Sequence, residues 1–556
     1  MNIKFNVRKS ILILLLIAFV ISLAACTDNH TKNDGLTAVC SNGRFVGTAE
    51  KETGVLSFKG LPYAKPPIGN LRWKAPCEPD DSDEVFVADT FGKSSIQYNW
   101  HSEPIQTEVG EDCLTLNIWT KDLSTENKTV MVFFHGGAFA WGGSSEVCYS
   151  GQNIVDAHDD VILVTCNYRI GLMGFANFEG VDGGENYPDS QNLGVLDAIM
   201  ALRWIKKNIS AFGGNPNNIT IFGESAGGGL VTALLATDYA GELFQRAIIE
   251  SGSANLLINN EQSSNYNYNV QYLMEITGAK SMDDLLALTE EELIAANELA
   301  LDENGTTIND LSATPVRGKS PIAVDPYEAM KNGKAQNVDI LIGTNLNEMT
   351  YWVNEMGDIP MEEMDEDGIA ENLAIFEQYF INPLYDSVLD RITDEETENL
   401  QTYLSLHGDE EALWAKTNLL GEIYYRQPSI AVAENHSQST GAGKTYMYLF
   451  ERENESFDFY GSCHAVELAY VFRNLDDSCD NLDRELSDNI CSSWVNFAKS
   501  GNPSIESATW EPYDAQNRST MIMSNDCTMR MENDPYGQER QLLSSLVPYY
   551  LIPMGS

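Results

Sequence analysis

Positive charge is scarce in this chain. Its 556 residues hold 34 Lys and Arg against 82 Asp and Glu, a formal net charge of −48. A field of that sign repels phosphate backbones and anionic lipid, which argues against nucleic-acid partners and against membrane binding through charge. The acidity reads as a solvated, solubilising surface. Metal-ligand spacing is missing too. There is no CxxC and no HxxxH, and the seven histidines are scattered, so neither a metal nor a cofactor is expected. After residue 36 there is no internal repeat and no Pro- or Ser-rich linker, which favours one large domain with insertions over several. With 43% hydrophobic and 21% charged residues, the composition is that of a globular protein and excludes disorder, collagen and coiled coil.

The N-terminus stands apart. Lys4, Arg8 and Lys9 precede an apolar run from Ile11 to Leu23, too short for a comfortable span, which ends at Ala24-Ala25-Cys26. Residues 1–25 read as a secretory signal. Leu23-Ala24-Ala25-Cys26 resembles a bacterial lipobox, which implies cleavage before Cys26 and lipidation of its thiol. Residues 26–36 are polar and turn-rich, a flexible tether, and residues 37–555 form the expected single domain. The protein is then exported and held at the cell membrane or surface by lipid alone. Removing the signal deletes three basic residues and no acidic one, so the charge becomes still more negative. Ten cysteines less a lipidated Cys26 leave nine, which cannot all pair.

Along the chain, short apolar runs alternate with helical spacing. Val130–Phe134, Val161–Thr165 and Ile219–Phe222 are continuous rather than alternating, as strands buried on both faces require. Asn192–Ile209 has helical spacing, and Leu230–Ala236 continues the alternation. Later strands are expected at Ala247–Ile249, Ile340–Ile342 and Tyr446–Phe450. Strand following helix in this way predicts an α/β fold with a large, mostly parallel sheet. Acidic helical stretches at Met282–Leu301 and Met361–Phe380 exceed what βα connections need and predict a covering layer.

Gly223-Glu224-Ser225-Ala226-Gly227 is a GxSxG pattern, weak alone. Here it follows a buried strand and precedes a helix, the setting of a nucleophile elbow, where a Cβ at either glycine would meet backbone. Such a serine needs a base and oxyanion donors. His135-Gly136-Gly137-Ala138 follows another strand, which makes the N–H groups of Gly137, Ala138 and Ala226 the candidate donors. His135 lies too near them to serve as base. In this fold the order is Ser, acid, His. His407 and His436 sit in polar, solvent-like segments, which leaves His464, in a short loop after Tyr446–Phe450. Glu348, three residues past a buried strand, is the acid, whereas Asp339 precedes that strand and sits at the wrong end.

With those residues in place, the sequence resembles the type-B carboxylesterase/cholinesterase family of α/β-hydrolases along nearly the whole mature chain. The matching segments include Phe58–Pro67, Leu71-Arg72-Trp73, Glu111–Ile118, Asn167-Tyr168-Arg169, Phe222–Gly228, Gly343-Thr344-Asn345 with Glu348, His464 with Glu467-Leu468, and Gly501-Asn502-Pro503. The resemblance implies a serine carboxylesterase acting on small to medium esters through an acyl-enzyme on Ser225. In it, His464 is general base then acid, Glu348 orients it, and Ser251 lies behind the triad. There are departures. Ser95 stands where the family usually has a cysteine, so Cys113 lacks its customary disulfide partner. Trp100 does not align with the choline-stacking Trp of cholinesterases, which puts a quaternary-ammonium site in doubt. A non-catalytic surface-binding protein on the same fold is the alternative from another class, but such proteins lose triad members. A lipase or amidase variant is not separable by sequence, and oligomeric state is not encoded legibly.

Overall fold

The computed structural model describes residues 35–97, 107–259, 267–298, 313–355, 366–408, 412–441, 443–453, 461–476 and 479–546. The signal, Cys26, most of the tether and Trp100 lie outside them.

An eleven-stranded mixed sheet organises the molecule. In chain order its strands are β1 (Thr48–Ala49), β2 (Leu56–Pro62), β3 (Thr115–Thr120), β4 (Lys128–Phe134), β5 (Val161–Cys166), β6 (Gly214–Glu224), β7 (Arg246–Glu250), β8 (Asp339–Asn345), β9 (Thr445–Phe450), β10 (Ser519–Met523) and β11 (Met529–Asn533). Their spatial order is β11-β10-β9-β8-β7-β6-β4-β5-β3-β2-β1. Seven neighbours from β10 to β5 run parallel, and antiparallel strands close both edges.

The continuous apolar runs follow from this. Along β4, Val130, Val132 and Phe134 enter the core on one face, packed with helices α1 (Leu193–Asn208) and α2 (Ala226–Leu235). Met131 and Phe133 enter the core on the other, beneath helix α3 (Asn481–Ser500). Ile248 in β7 and Leu341 in β8 repeat the split, so each strand needs apolar residues at every position. Two buried ion pairs tie early segments to this frame: Arg72 is bidentate on Glu111, and Arg169 on Asp197.

The covering layer differs from expectation in detail. The stretch 282–301 is not one helix: Leu288 takes extended backbone, and the chain restarts at Glu290–Glu298. Thr289 Oγ1 accepts the Glu292 N–H while the Glu292 carboxylate accepts the Thr289 N–H, a reciprocal cap that begins a second helix. Within 361–380, the described helix spans Glu366–Phe376 and passes into a π-turn at Glu377–Ile381. The helix Glu366–Phe376 and its π-turn, with Ala412–Gly421 and the π-turn Glu422–Arg426, share a third apolar cluster over the carboxyl ends of the strands, whereas Met282, Leu285 and Leu293 pack into the first core.

Candidate active site

Ser225 is the hinge between β6 and α2. Its φ of 55° is rare for a non-glycine residue, and its N–H is fixed to the Glu250 carbonyl at 2.8 Å. The turn closes only because its neighbours are bare. A Cβ on Gly223 would stand 2.6 Å from the Gly227 carbonyl, and one on Gly227 would overlap the Phe134 carbonyl oxygen. Helix α2 therefore begins at Ala226, four residues earlier than its apolar spacing suggests.

The N–H groups of Gly137, Ala138 and Ala226 donate no hydrogen bond among the described residues. Gly137, Ala138 and Phe139 all have positive φ, a loop held by hydrogen bonds from the Ala140 and Trp141 N–H groups to the Gly137 carbonyl. With the first N–H of α2, this leaves unused backbone donors beside the elbow.

Glu348 opens a helical turn directly after β8, buried to 1% exposure. Its Oε2 lies 2.6 Å from His464 Nδ1, and its Oε1 accepts the Asn345 N–H at 2.8 Å and the Ser251 hydroxyl at 2.6 Å. The loop bearing His464 is stitched to that same turn. The Asn345 side chain donates to the Cys463 carbonyl at 2.7 Å, and the Asn347 N–H donates to the Ser462 carbonyl at 3.0 Å. Glu348 and His464, 116 residues apart, are thus placed by one pair of interlocked loops.

One member of the site escaped the sequence reading. His464 Nε2 lies 3.0 Å from Glu224 Oε1, within ion-pair reach although not aligned as a hydrogen bond. No hydrogen bond joins the Ser225 hydroxyl to His464 among the described residues. Burial alone would push the imidazole's pKa down. Glu224, then Tyr425 and Glu348, outweigh it and hold the ring well above the ordinary histidine value. The only sequence signal for Glu224 was its place inside GxSxG.

Aromatic rings surround this histidine. Tyr425 and Tyr351 lie 4.8 and 5.9 Å from it, and Trp352 contacts Trp141 at 6.4 Å and Phe380 at 5.7 Å. All except Trp141 come from the covering layer, where no motif announced them.

The other histidines sit elsewhere. His135 is buried, stacked on Tyr168, with Nδ1 against the Gly136 carbonyl, and burial pushes its pKa down to about 4. His436 corrects the expectation of a solvent-like segment: it is 1% exposed and bonded to Thr445 Oγ1 and the Ala335 carbonyl. His407 is likewise partly covered, its ring 4.7 Å from Tyr403. Cys113 is buried and unpaired, as are Cys40, Cys166 and Cys491. Among the described residues no group of acidic, His or Cys side chains could hold a metal, and no helix is long and apolar enough to cross a membrane.

Known proteins resemble this chain over most of their length. The sequence pattern of the Carboxylesterase family matches residues 36–542. The chain is 34% identical to the para-nitrobenzyl esterase of Bacillus subtilis (strain 168), over 90% of this chain and 97% of that one. It is 28% identical to a Mus musculus cholinesterase, over 85% and 80% respectively. A solved PNB esterase superposes with a TM-score of 0.73 at 32% identity, covering 92% of this chain and all of the other. A carboxylesterase from Geobacillus stearothermophilus gives the same TM-score at 29% identity, covering 91% and 99%. The chain belongs to the carboxylesterase family and is a carboxylic ester hydrolase.

Proposed function

We propose that Ser225 attacks the ester carbonyl, that His464 takes its proton and returns it to the leaving alcohol, and that Glu348 holds the ring. The contact between His464 Nδ1 and Glu348 Oε2, at the strand ends beside the elbow, is the observation that carries this assignment. In the acyl-transfer step the developing oxyanion takes the free N–H groups of Gly137, Ala138 and Ala226. The imidazolium formed then lies between Glu348 and Glu224, which stabilise it, while Ser251 braces Glu348 from behind. Deacylation repeats the cycle with water.

The rings of Tyr425 and Tyr351 beside His464, with Trp352 packed on Tyr351 and Trp141 on Trp352, favour esters carrying a flat aromatic group on the acyl or alcohol side. The name of the para-nitrobenzyl esterase relative fits that preference. The lipobox supports export and anchoring through Cys26, with no other membrane contact.

The test is Ser225→Ala together with labelling by an organophosphate. Turnover of p-nitrophenyl and benzyl esters is lost in the variant, and the wild type carries one adduct, on the peptide containing Ser225. An adduct on Ser251 overturns the assignment.

A further inference from the structure

Glu224, Glu250, Gly343 and Tyr448 form one register row across β6, β7, β8 and β9. Register partners on parallel strands leave the sheet on the same face. Two residues earlier, Phe222, Ile248, Leu341 and Tyr446 enter the core beneath α3, so this row faces α3 as well. Glu224 and Glu250 therefore stand side by side, where two like charges are destabilising. Gly343 leaves the next position empty because the Tyr448 ring lies there, reaching back across β8.

Glu250 is fully buried. Its Oε1 accepts the Trp494 indole N–H at 2.6 Å, and its Oε2 has no partner. No lysine or arginine pairs with it among the described residues. The ionisable groups that face it are acids: Glu224 beside it, Glu467 ahead of Leu468–Val471, whose Oε1 lacks a partner, and Tyr448, whose hydroxyl also lacks one. Glu224 Oε1 is a further buried oxygen with no hydrogen bond, and His464 lies just beyond it.

We propose that Glu250 is a neutral carboxylic acid whose proton, on Oε2, is shared with Glu224 Oε1, directly or through one water, and that it thereby sets the charge behind His464. It is a positioning residue. With the proton in place the pair carries one negative charge, enough to steady an imidazolium without trapping it. When the proton leaves to solvent, the pair carries two, and His464 holds its own proton too tightly to act as base. Burial, opposed by the Trp494 N–H and reinforced by Glu224, pushes the Glu250 carboxyl up to about 8, which places that loss on the alkaline side of neutrality.

This reading rests on His464 being the base, so the experiment has two arms. In the first, kcat/KM for a p-nitrophenyl ester is followed against pH for the wild type, Glu250→Gln and Glu250→Leu. The wild type declines above pH of about 8. Glu250→Gln, a donor that cannot ionise, loses that decline, and Glu250→Leu, with no donor, falls by about tenfold or more in kcat. In the second arm, infrared spectra of the Ser225→Ala protein, which turns nothing over, show a protonated-carboxyl C=O band that disappears on adding Glu250→Gln. Absence of that band, or an alkaline decline that survives in Glu250→Gln, overturns the proposal and leaves the triad assignment standing. Should Glu250→Leu not fold, the wild type, Glu250→Gln and the infrared arm still decide it.

Discussion

The imidazole of His464 meets the Glu224 carboxylate at 3.0 Å, on the ring nitrogen opposite Glu348. A base held between two carboxylates keeps its proton longer, and its pKa stands well above the ordinary value of about 6.5. With His464 as the proposed base, the acid limb of kcat/KM is expected above that value, and Glu224→Gln is expected to move it down. The same shift stabilises the fold in full below pH of about 6.5, and this contribution is lost as pH rises through the folded pKa. A pH–rate profile of the two proteins checks the first statement. An unchanged limb in Glu224→Gln would show that the second carboxylate does not bear on the base.

Glu348→Gln keeps the shape of the side chain but not its charge, so the ring loses its fixed tautomer and the imidazolium one of its two carboxylate counterions. The corresponding change in a serine-protease triad costs about 10⁴ in kcat. A comparable loss is expected here, in kcat far more than in KM. Ser251→Ala removes one of the donors to Glu348 and costs less, on the order of tenfold. Steady-state kinetics on a single aryl ester rank the two.

Much of this is legible in the sequence alone. Val130–Phe134, Val161–Thr165 and Ile219–Phe222 carry an apolar residue at nearly every position because the sheet is packed on both faces, and that pattern survives in a bare sequence. The elbow's pattern is local, since Gly223, Ser225 and Gly227 fall within five residues, although the carbonyl that forbids a side chain at Gly227 belongs to Phe134 on the neighbouring strand. Glu224 and the aromatic rings were not readable. That Glu224 reaches His464, 240 residues away by number, depends on which loops interlock, and no local preference encodes it. His436 misled for a related reason: its polar flanks suggest solvent, but β9 and the Ala335 carbonyl close over it. The break within 282–301 was there to be found, because Thr289-Glu290-Glu291-Glu292 is itself a capping box.

Gly343 tests how tightly the row behind the site is packed. An alanine there would put its methyl group inside the Tyr448 ring, which is itself 5.1 Å from Trp494 and has no room to retreat. Overpacking of this kind costs about 1–3 kcal/mol. Gly343→Ala should lower the unfolding midpoint measurably, while Tyr448→Phe, which keeps the ring, gives no relief in the double variant. Gly343→Ala with Tyr448→Ala should recover part of the loss. Independent, additive effects would mean that the two positions do not compete for one space.

Replacing Cys26 should move the enzyme without disabling it. The described fold begins with a strand at Thr37–Cys40, and Ser225, Glu348 and His464 lie far along the chain from Cys26. Buried acyl chains contribute about 0.8 kcal/mol per CH₂, and stable attachment takes more than one chain. A surface as acidic as this one adds no attraction to anionic lipid, and no helix among the described residues is long and apolar enough to span a bilayer. On the proposed lipobox reading, lipid on Cys26 supplies the anchor. Cys26→Ala, carried on a signal that permits export, should shift esterase activity from the membrane pellet to the soluble fraction, with kcat/KM for a p-nitrophenyl ester nearly unchanged. Fractionation after a high-salt wash is the measurement. Activity that still pellets would place the attachment on the folded protein itself, with the exposed residues of the covering helices as the first place to look.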